Sequence, residues 1–226
     1  MPTPWTFGWT QLLTIVGFII TVSIAAGGFR TFARWEREKI AEKRIDTAIE
    51  ALALVYETKF IFDHIRSEAS FPYEWKDMPD GYGSETERNA RAPFYAILKR
   101  IEGHKEFFER VWKIQVRCTA LFGPKVEEVF FLMHRARREI EVSAEMLFHE
   151  PRPSVETPAN LDTWNRFRAD VWLMYESRAK GGDRVGQKLT EFREKMEGLC
   201  RPIIDHEYRT GPRRSIIGRV GDWFGR

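Results

Sequence analysis

Residues 12–29 read LLTIVGFIITVSIAAGGF, and residues 30–44 read RTFARWEREKIAEKR. No charged side chain precedes Arg30, whereas nine fall within the fifteen residues from Arg30 to Arg44. A helix rises about 1.5 Å per residue, so roughly 20 residues cross the hydrocarbon core; Trp9 and Thr10 bring the apolar run to that length. The run has no polar face, and a helix apolar all round belongs in lipid or deep in a large core. The expected fold class is therefore all-α: one N-terminal transmembrane helix followed by a four- or five-helix cytoplasmic bundle.

The flanks give the orientation. Residues 1–10 contain no Lys or Arg, while Arg30, Arg34, Arg37, Lys39, Lys43 and Arg44 follow the run. Basic residues beside a span resist translocation, which predicts an outer N-terminus and a cytoplasmic C-terminal side. Trp5 and Trp9 suit the outer headgroup layer, and Phe32 and Trp35 the inner one. The membrane-interface set is thus Trp5, Trp9, Arg30, Arg34, Trp35 and Arg37. Residues 23–25 (SIA) resemble a signal-peptide cleavage site, but the positive leading region of a signal peptide is missing, so the span is read as retained.

One face of the span collects Thr14, Gly17, Thr21, Ala25 and Gly28. Small residues let two helix backbones approach closely in lipid. A homodimer through the span, or docking of another span, is one reading of this face. The other is the plain abundance of Gly, Ala and Thr in membrane helices.

The chain has 226 residues and a net charge of +3. The anchor and neck leave enough for one packed domain. The small net charge argues against nucleic acid as a partner. Cys118 and Cys200 fit no metal spacing and read as free thiols of a reducing compartment. The expected division is an outer stub and span (1–29), a charged juxtamembrane neck (30–44), a helical domain (45–208) and a basic amphipathic tail (209–226).

Within the body, Ile45, Ile49, Leu52, Val55, Phe62 and Ile65 recur at helical spacing, in a helix expected to end near Ser70. Ser84-Glu85-Thr86-Glu87 reads as a capping box. A stripe through Ile97, Ile101, His104, Phe108, Val111, Gln115, Cys118 and Phe122 predicts one helix, closed by Gly123-Pro124. Val126, Val129, Met133, Ile140 and Leu147 mark the next; Trp164, Phe167, Val171 and Met174 a fourth. The fifth carries Val185, Leu189, Phe192, Met196 and Leu199 and is expected to stop at Pro202. Gly181-Gly182-Asp183 reads as a turn and helix N-cap.

Residues 70–83 (SFPYEWKDMPDGYG) are the clearest loop and hold Phe71, Tyr73, Trp75 and Tyr82. Aromatic residues dominate binding hot spots, which makes this loop the candidate for partner contact; the competing reading folds it back over the end of the bundle. The tail (RTGPRRSIIGRVGDWFGR) combines Arg213, Arg214 and Arg219 with Ile216, Val220, Trp223 and Phe224. That combination suits an anionic membrane surface, against the alternative of a solvated terminus.

Chemical motifs are scarce. None of the five histidines has Glu three positions before it, and none forms His-x-x-x-His, so neither a di-iron pair nor a zincin helix is present. No cofactor or metal is expected. His104 reads as a packed core histidine and His64 as a surface partner of Asp63. Glu127-Glu128 and Arg137-Arg138 read as solvated faces. Arg201 and His206 (RPIIDH) share the Arg-x4-His spacing and so resemble the HEPN ribonucleases. That resemblance covers six residues, with Pro202 where the family has a polar residue. It implies a phosphate-stabilising role for Arg201 and acid–base work for His206.

The functional expectation is a single-pass membrane-anchored helical interaction or scaffolding protein of the cell inner membrane. Its expected partners are membrane lipid, a second copy through the span, and an unidentified membrane or cytoplasmic protein. A membrane-tethered enzyme, for example a HEPN-like ribonuclease, or an accessory subunit of a larger membrane complex are the alternatives.

Overall fold

A computed structural model describes residues 8–79, 83–152, 155–178 and 181–210. Every regular element among them is helical: α1 (Trp9–Ile65), α2 (Glu85–Gly103), α3 (Lys105–Phe122), α4 (Lys125–His149), α5 (Pro158–Val171) and α6 (Arg184–Thr210), with short 3-10 helices at Pro72–Trp75 and Leu173–Arg178. The residues fall into two compact units that divide between Ile45 and Asp46.

The first unit is the leading part of α1. It contains a window of mean hydropathy 2.2, long and apolar enough to cross a membrane. Its large side chains, among them Phe18, Ile19, Ile20 and Ile24, are exposed. Three of its hydroxyls are satisfied along the helix itself. Thr21 Oγ1 donates to the Gly17 carbonyl at 2.9 Å, Ser23 Oγ to Ile19 at 2.8 Å, and Thr31 Oγ1 to Gly27 at 3.0 Å. Back-bonding of this kind removes the cost of a bare hydroxyl in hydrocarbon.

The second unit is built around α4. Its side chains at Val126, Val129, Phe130, Met133, Ala136, Ile140, Ala144 and Leu147 are buried and form one stripe about 120° wide along the helix. It packs against α2, α3, α5 and α6. The final part of α1 supplies Ala48, Ala51, Leu52, Val55, Phe62 and Ile65 to the same core. Aromatic rings lock the layers. Phe62 meets Phe108 edge-on with centroids 6.2 Å apart, and Phe130 meets Phe192 at 5.6 Å.

Several boundaries follow the expected chemistry. Ser84 and Glu87 form the reciprocal cap of α2. Gly123 closes α3 at φ +94°, a conformation only glycine adopts freely, and Pro124 opens α4. Asp183 Oδ1 accepts the Gly186 amide at 2.8 Å, the cap of α6, after Gly181 and Gly182 turn the chain at positive φ.

Other boundaries differ. The stripe from Ile97 to Phe122 belongs to two helices, interrupted at His104, whose φ of −95° and ψ of 17° leave the helical region. Gly103 weakens the helix there by about 1 kcal/mol relative to alanine. α1 stops at Ile65 rather than near Ser70, and Met174 lies in a 3-10 turn outside α5. α6 runs on through Pro202 to Thr210. The proline ring presses on the carbonyl four residues back, and that residue is Gly198, whose backbone yields most readily.

Two buried arginines close the end of α1. Arg100 grips Glu74 through Nε at 2.6 Å and Nη2 at 2.9 Å, and donates to the carbonyls of Ser67 at 2.6 Å and Ala69 at 2.5 Å. Arg66 holds Asp183 through both Nη atoms at 3.0 and 2.9 Å and the Ala169 carbonyl at 2.7 Å.

Removing one partner of a buried pair strands the other charge. Arg100→Met is therefore expected to lower the unfolding free energy by about 3–5 kcal/mol. Arg110→Met, which breaks the exposed bond to Glu57, should cost about 0–1 kcal/mol. Reversible urea unfolding of the full chain in mild detergent measures both; equal losses would contradict the assignment.

Candidate functional surfaces

A groove of about 850 Å³ lies among α2, α3 and α4. Leu98, Ile101, Phe108 and Trp112 give it an apolar floor, while Lys105, Lys113, Glu141 and Glu145 stand around it. Ile101 and Phe108 belong to the core, so the floor is rigid. Trp112 is 59% exposed and its ring lies 5.7 Å from that of His134. His134 Nε2 lies 2.7 Å from Oε1 of the buried Gln115. Burial, reinforced by the Arg137 charge, pushes the His134 pKa down, so this ring is neutral at pH 7. Arg137 is half-buried, with its guanidinium 4.3 Å from the Phe108 ring centroid. Only Arg138 of the Arg137-Arg138 pair is the solvated residue the sequence suggests; it pairs with Glu141 at 3.2 Å. The signal for Arg137 was its register with the buried Met133 and Ile140 on α4.

The aromatic loop is divided in its allegiance. Trp75 packs against the core, and Met78 is buried. Glu74 accepts the Phe71 amide at 2.8 Å as well as the Arg100 guanidinium, so the loop is tied down at its centre. The Arg100 hydrogen bonds hold the Glu74 carboxyl below its ordinary pKa. Phe71 and Tyr73 stay exposed, at 52% and 74%, and stack on each other with ring planes 6° apart. Tyr82 lies outside the described residues.

His64 does not stand as a surface partner of Asp63. Its Nδ1 lies 2.8 Å from His104 Nε2 with the rings at right angles, which joins the last turn of α1 to the α2–α3 break. Burial and then the proximity of His64 push the His104 pKa down.

The remaining sequence candidates are placed as follows. Trp9, Arg30, Arg34, Trp35 and Arg37 are exposed on the first unit, with Arg34 paired to Glu38 at 3.0 Å and Trp35 5.9 Å from Phe32. Thr14, Gly17, Thr21, Ala25 and Gly28 are exposed on the same helix. Nothing lies within 4 Å of a side chain built at Gly17 or Gly28. Trp5 and the tail residues Arg213, Arg214, Ile216, Arg219, Val220, Trp223 and Phe224 lie outside the described residues. Arg201 is exposed and donates to Tyr56 Oη at 2.8 Å; the His206 side chain is outside those described. Five positions along α6 set residues 201 and 206 about 140° apart around the axis. No group of three or more metal-ligating side chains occurs among the described residues. Cys118 and Cys200 are free and buried.

No family model, curated protein or solved structure matches this chain.

The two histidine shifts fix the sign of a pH effect. His104 and His134 bind protons less readily in the native chain than in the unfolded one. Stability is then full above the ordinary imidazole pKa of about 6.5 and falls as pH drops below it, because the unfolded chain takes up protons the native chain refuses. The urea midpoint should decline from pH 7 toward pH 5, and the double variant His104→Gln, His134→Gln should flatten that decline. A midpoint that rises on acidification would reverse the assignment.

Burial pushes the Cys118 thiol up to about 12 and the Cys200 thiol up to about 11. Neither forms thiolate near neutrality. Iodoacetamide at pH 8 should leave both unmodified in the native chain and label both in urea, as intact-mass measurement would show.

Proposed function

We propose that this chain is a single-pass membrane-anchored interaction protein that presents a helical domain at the cytoplasmic face of the inner membrane. The observation that carries the reading is the uncharged, fully exposed apolar helix ahead of Arg30, which no other part of the described chain covers. Apolar surface of that extent in water is costly, and about 20 such residues match the hydrocarbon thickness. The basic residues that follow the span support a cytoplasmic body and an outer N-terminus. The open face at Gly17 and Gly28 supports pairing with a second copy through the span.

The second unit is the part that would meet a partner. Its stacked pair, Phe71 and Tyr73, sits on a loop pinned at Glu74, so its exposure is held rather than frayed. Pre-ordered aromatics bind with little further entropy loss. Protein rather than nucleic acid is the proposed partner, in keeping with a net charge of only +3.

The anchor is tested in native membranes. The chain should remain in the pellet after alkaline carbonate, and its body should resist protease added to intact spheroplasts; release or external digestion would refute the reading. Phe71→Ser with Tyr73→Ser should reduce co-purification of a partner from solubilised membranes at least fivefold, roughly the loss of 1 kcal/mol or more at a hot spot. Membrane retention should not change. Unaltered recovery would remove the loop from the contact.

A further inference from the structure

The groove among α2, α3 and α4 holds a cation that nothing in the chain answers. The Arg137 guanidinium lies over the Phe108 ring, 4.3 Å from its centroid. Its Nε is buried without a hydrogen-bond partner. Among the described residues no carboxylate comes within 4.0 Å of Arg137, and no hydrogen bond or ion pair reaches its guanidinium. A guanidinium has five N–H donors in one plane, and leaving them unpaired in a partly dry site costs free energy. Lys113 on α3 lines the same groove, is exposed, and also lacks an ionic partner among the described residues.

The acids around the groove are engaged or distant. Glu102 is held by Lys99 at 3.0 Å, Glu141 by Arg138 at 3.2 Å, and Glu109 faces Lys105 at 3.8 Å. Glu145 lies eight residues beyond Arg137 on α4, about 12 Å along the axis. That exceeds the screening length of about 8 Å at physiological ionic strength. Three of these four acids are thus paired with lysine or arginine, which leaves Arg137 a guanidinium without a carboxylate of its own.

With Nε buried and neither Nη atom bonded within the described chain, the free edge is the Nη1–Nη2 side. That edge matches two oxygens of one carboxylate, the bidentate geometry in which arginine excels. Beside it stand Leu98, Ile101 and the exposed indole of Trp112, a platform for a flat apolar body. The volume falls in the range of about 300–1,000 Å³ typical of small-molecule sites. From this geometry we infer that the groove binds a small amphipathic carboxylate, with its oxygens on Arg137 and its apolar body over Ile101 and Trp112. This site is independent of the partner contact assigned to the loop.

The test uses the full chain in nanodiscs of zwitterionic lipid, with empty nanodiscs as the correction for partitioning. Naphthoate is titrated by calorimetry beside naphthyl methanol and naphthyl methylammonium, which share its ring system. Naphthoate should bind saturably at one site, and the alcohol and the amine at least tenfold more weakly, the range expected for a charge-assisted hydrogen-bonded pair. Arg137→Met should weaken naphthoate about tenfold or more, and Arg137→Lys, which keeps the charge but not the fork, should fall between. Trp112→Ala, at an exposed position, should weaken it several-fold. Continued protection of Cys118 and Cys200 from iodoacetamide certifies that each variant is folded. Absence of saturable binding overturns the inference. So does equal binding of the alcohol, or unchanged binding by a folded Arg137→Met, either of which would leave the groove an apolar docking face.

Discussion

The second unit depends on how the end of α1 is satisfied. A helix terminates with carbonyls that have no partner within it, and a buried terminus must find donors elsewhere. Here Arg100 reaches across from α2 to the His64 carbonyl at 3.4 Å and, just beyond the helix, to those of Ser67 and Ala69, while its other donors hold Glu74. Arg66 does the reciprocal work, leaving α1 to take the Ala169 carbonyl and Asp183. Asp183 then serves twice, since its Oδ1 also caps α6 at the Gly186 amide. Two guanidiniums thus fix where α1 ends, where the aromatic loop lies, and where α6 begins. Beside them Asp170, only 1% exposed, accepts from Ser143 at 2.6 Å and from Arg184 at 2.7 and 2.6 Å, which joins α4, α5 and α6. Such networks confer one arrangement more than they add raw stability, because desolvating the charges offsets much of their attraction.

This ordering explains what could be read from the sequence. Helix existence was legible because apolar spacing and cap chemistry are local: Ser84 with Glu87, Gly123 with Pro124, and Asp183 after two glycines all act within a few residues. The apolar run ahead of Arg30 was equally plain. The ends of α1 and α6 were not. α1 stops at Ile65 because Arg100, 35 positions on, supplies donors to the chain just beyond it. Pro202 fails to stop α6 because Gly198 gives way. The interruption at His104 was hidden for a related reason, since an unbroken stripe passes through it and only Gly103 hinted at the change.

The candidate surfaces show the same limit. Partial burial of Trp75 and exposure of Phe71 and Tyr73 follow from the 3-10 turn at Pro72–Trp75, which aromatic letters in a loop do not reveal. Arg137 and Arg138 are neighbours in sequence and opposites in environment. A helix turns about 100° per residue, so one of them meets Phe108 and the other meets water. His64 likewise looks like a partner of adjacent Asp63, yet consecutive helical residues do not face one another, and its contact is 40 residues away.

Anchoring changes what such surfaces need to achieve. A chain held in a bilayer searches two dimensions, and a second contact to anything in the same membrane is governed by effective concentration rather than bulk concentration. A stacked aromatic pair on a pinned loop is small beside a stable interface of about 1,200–2,000 Å². Free in solution it would bind weakly. Beside a co-anchored partner it would need only to add to an encounter that the proposed span had already arranged, and pairing of spans through the Gly17–Gly28 face would raise the local concentration further. The modest size of the exposed patches on the second unit is therefore consistent with the interaction role only if the apolar helix ahead of Arg30 resides in lipid; the contact surface and the anchor are one argument.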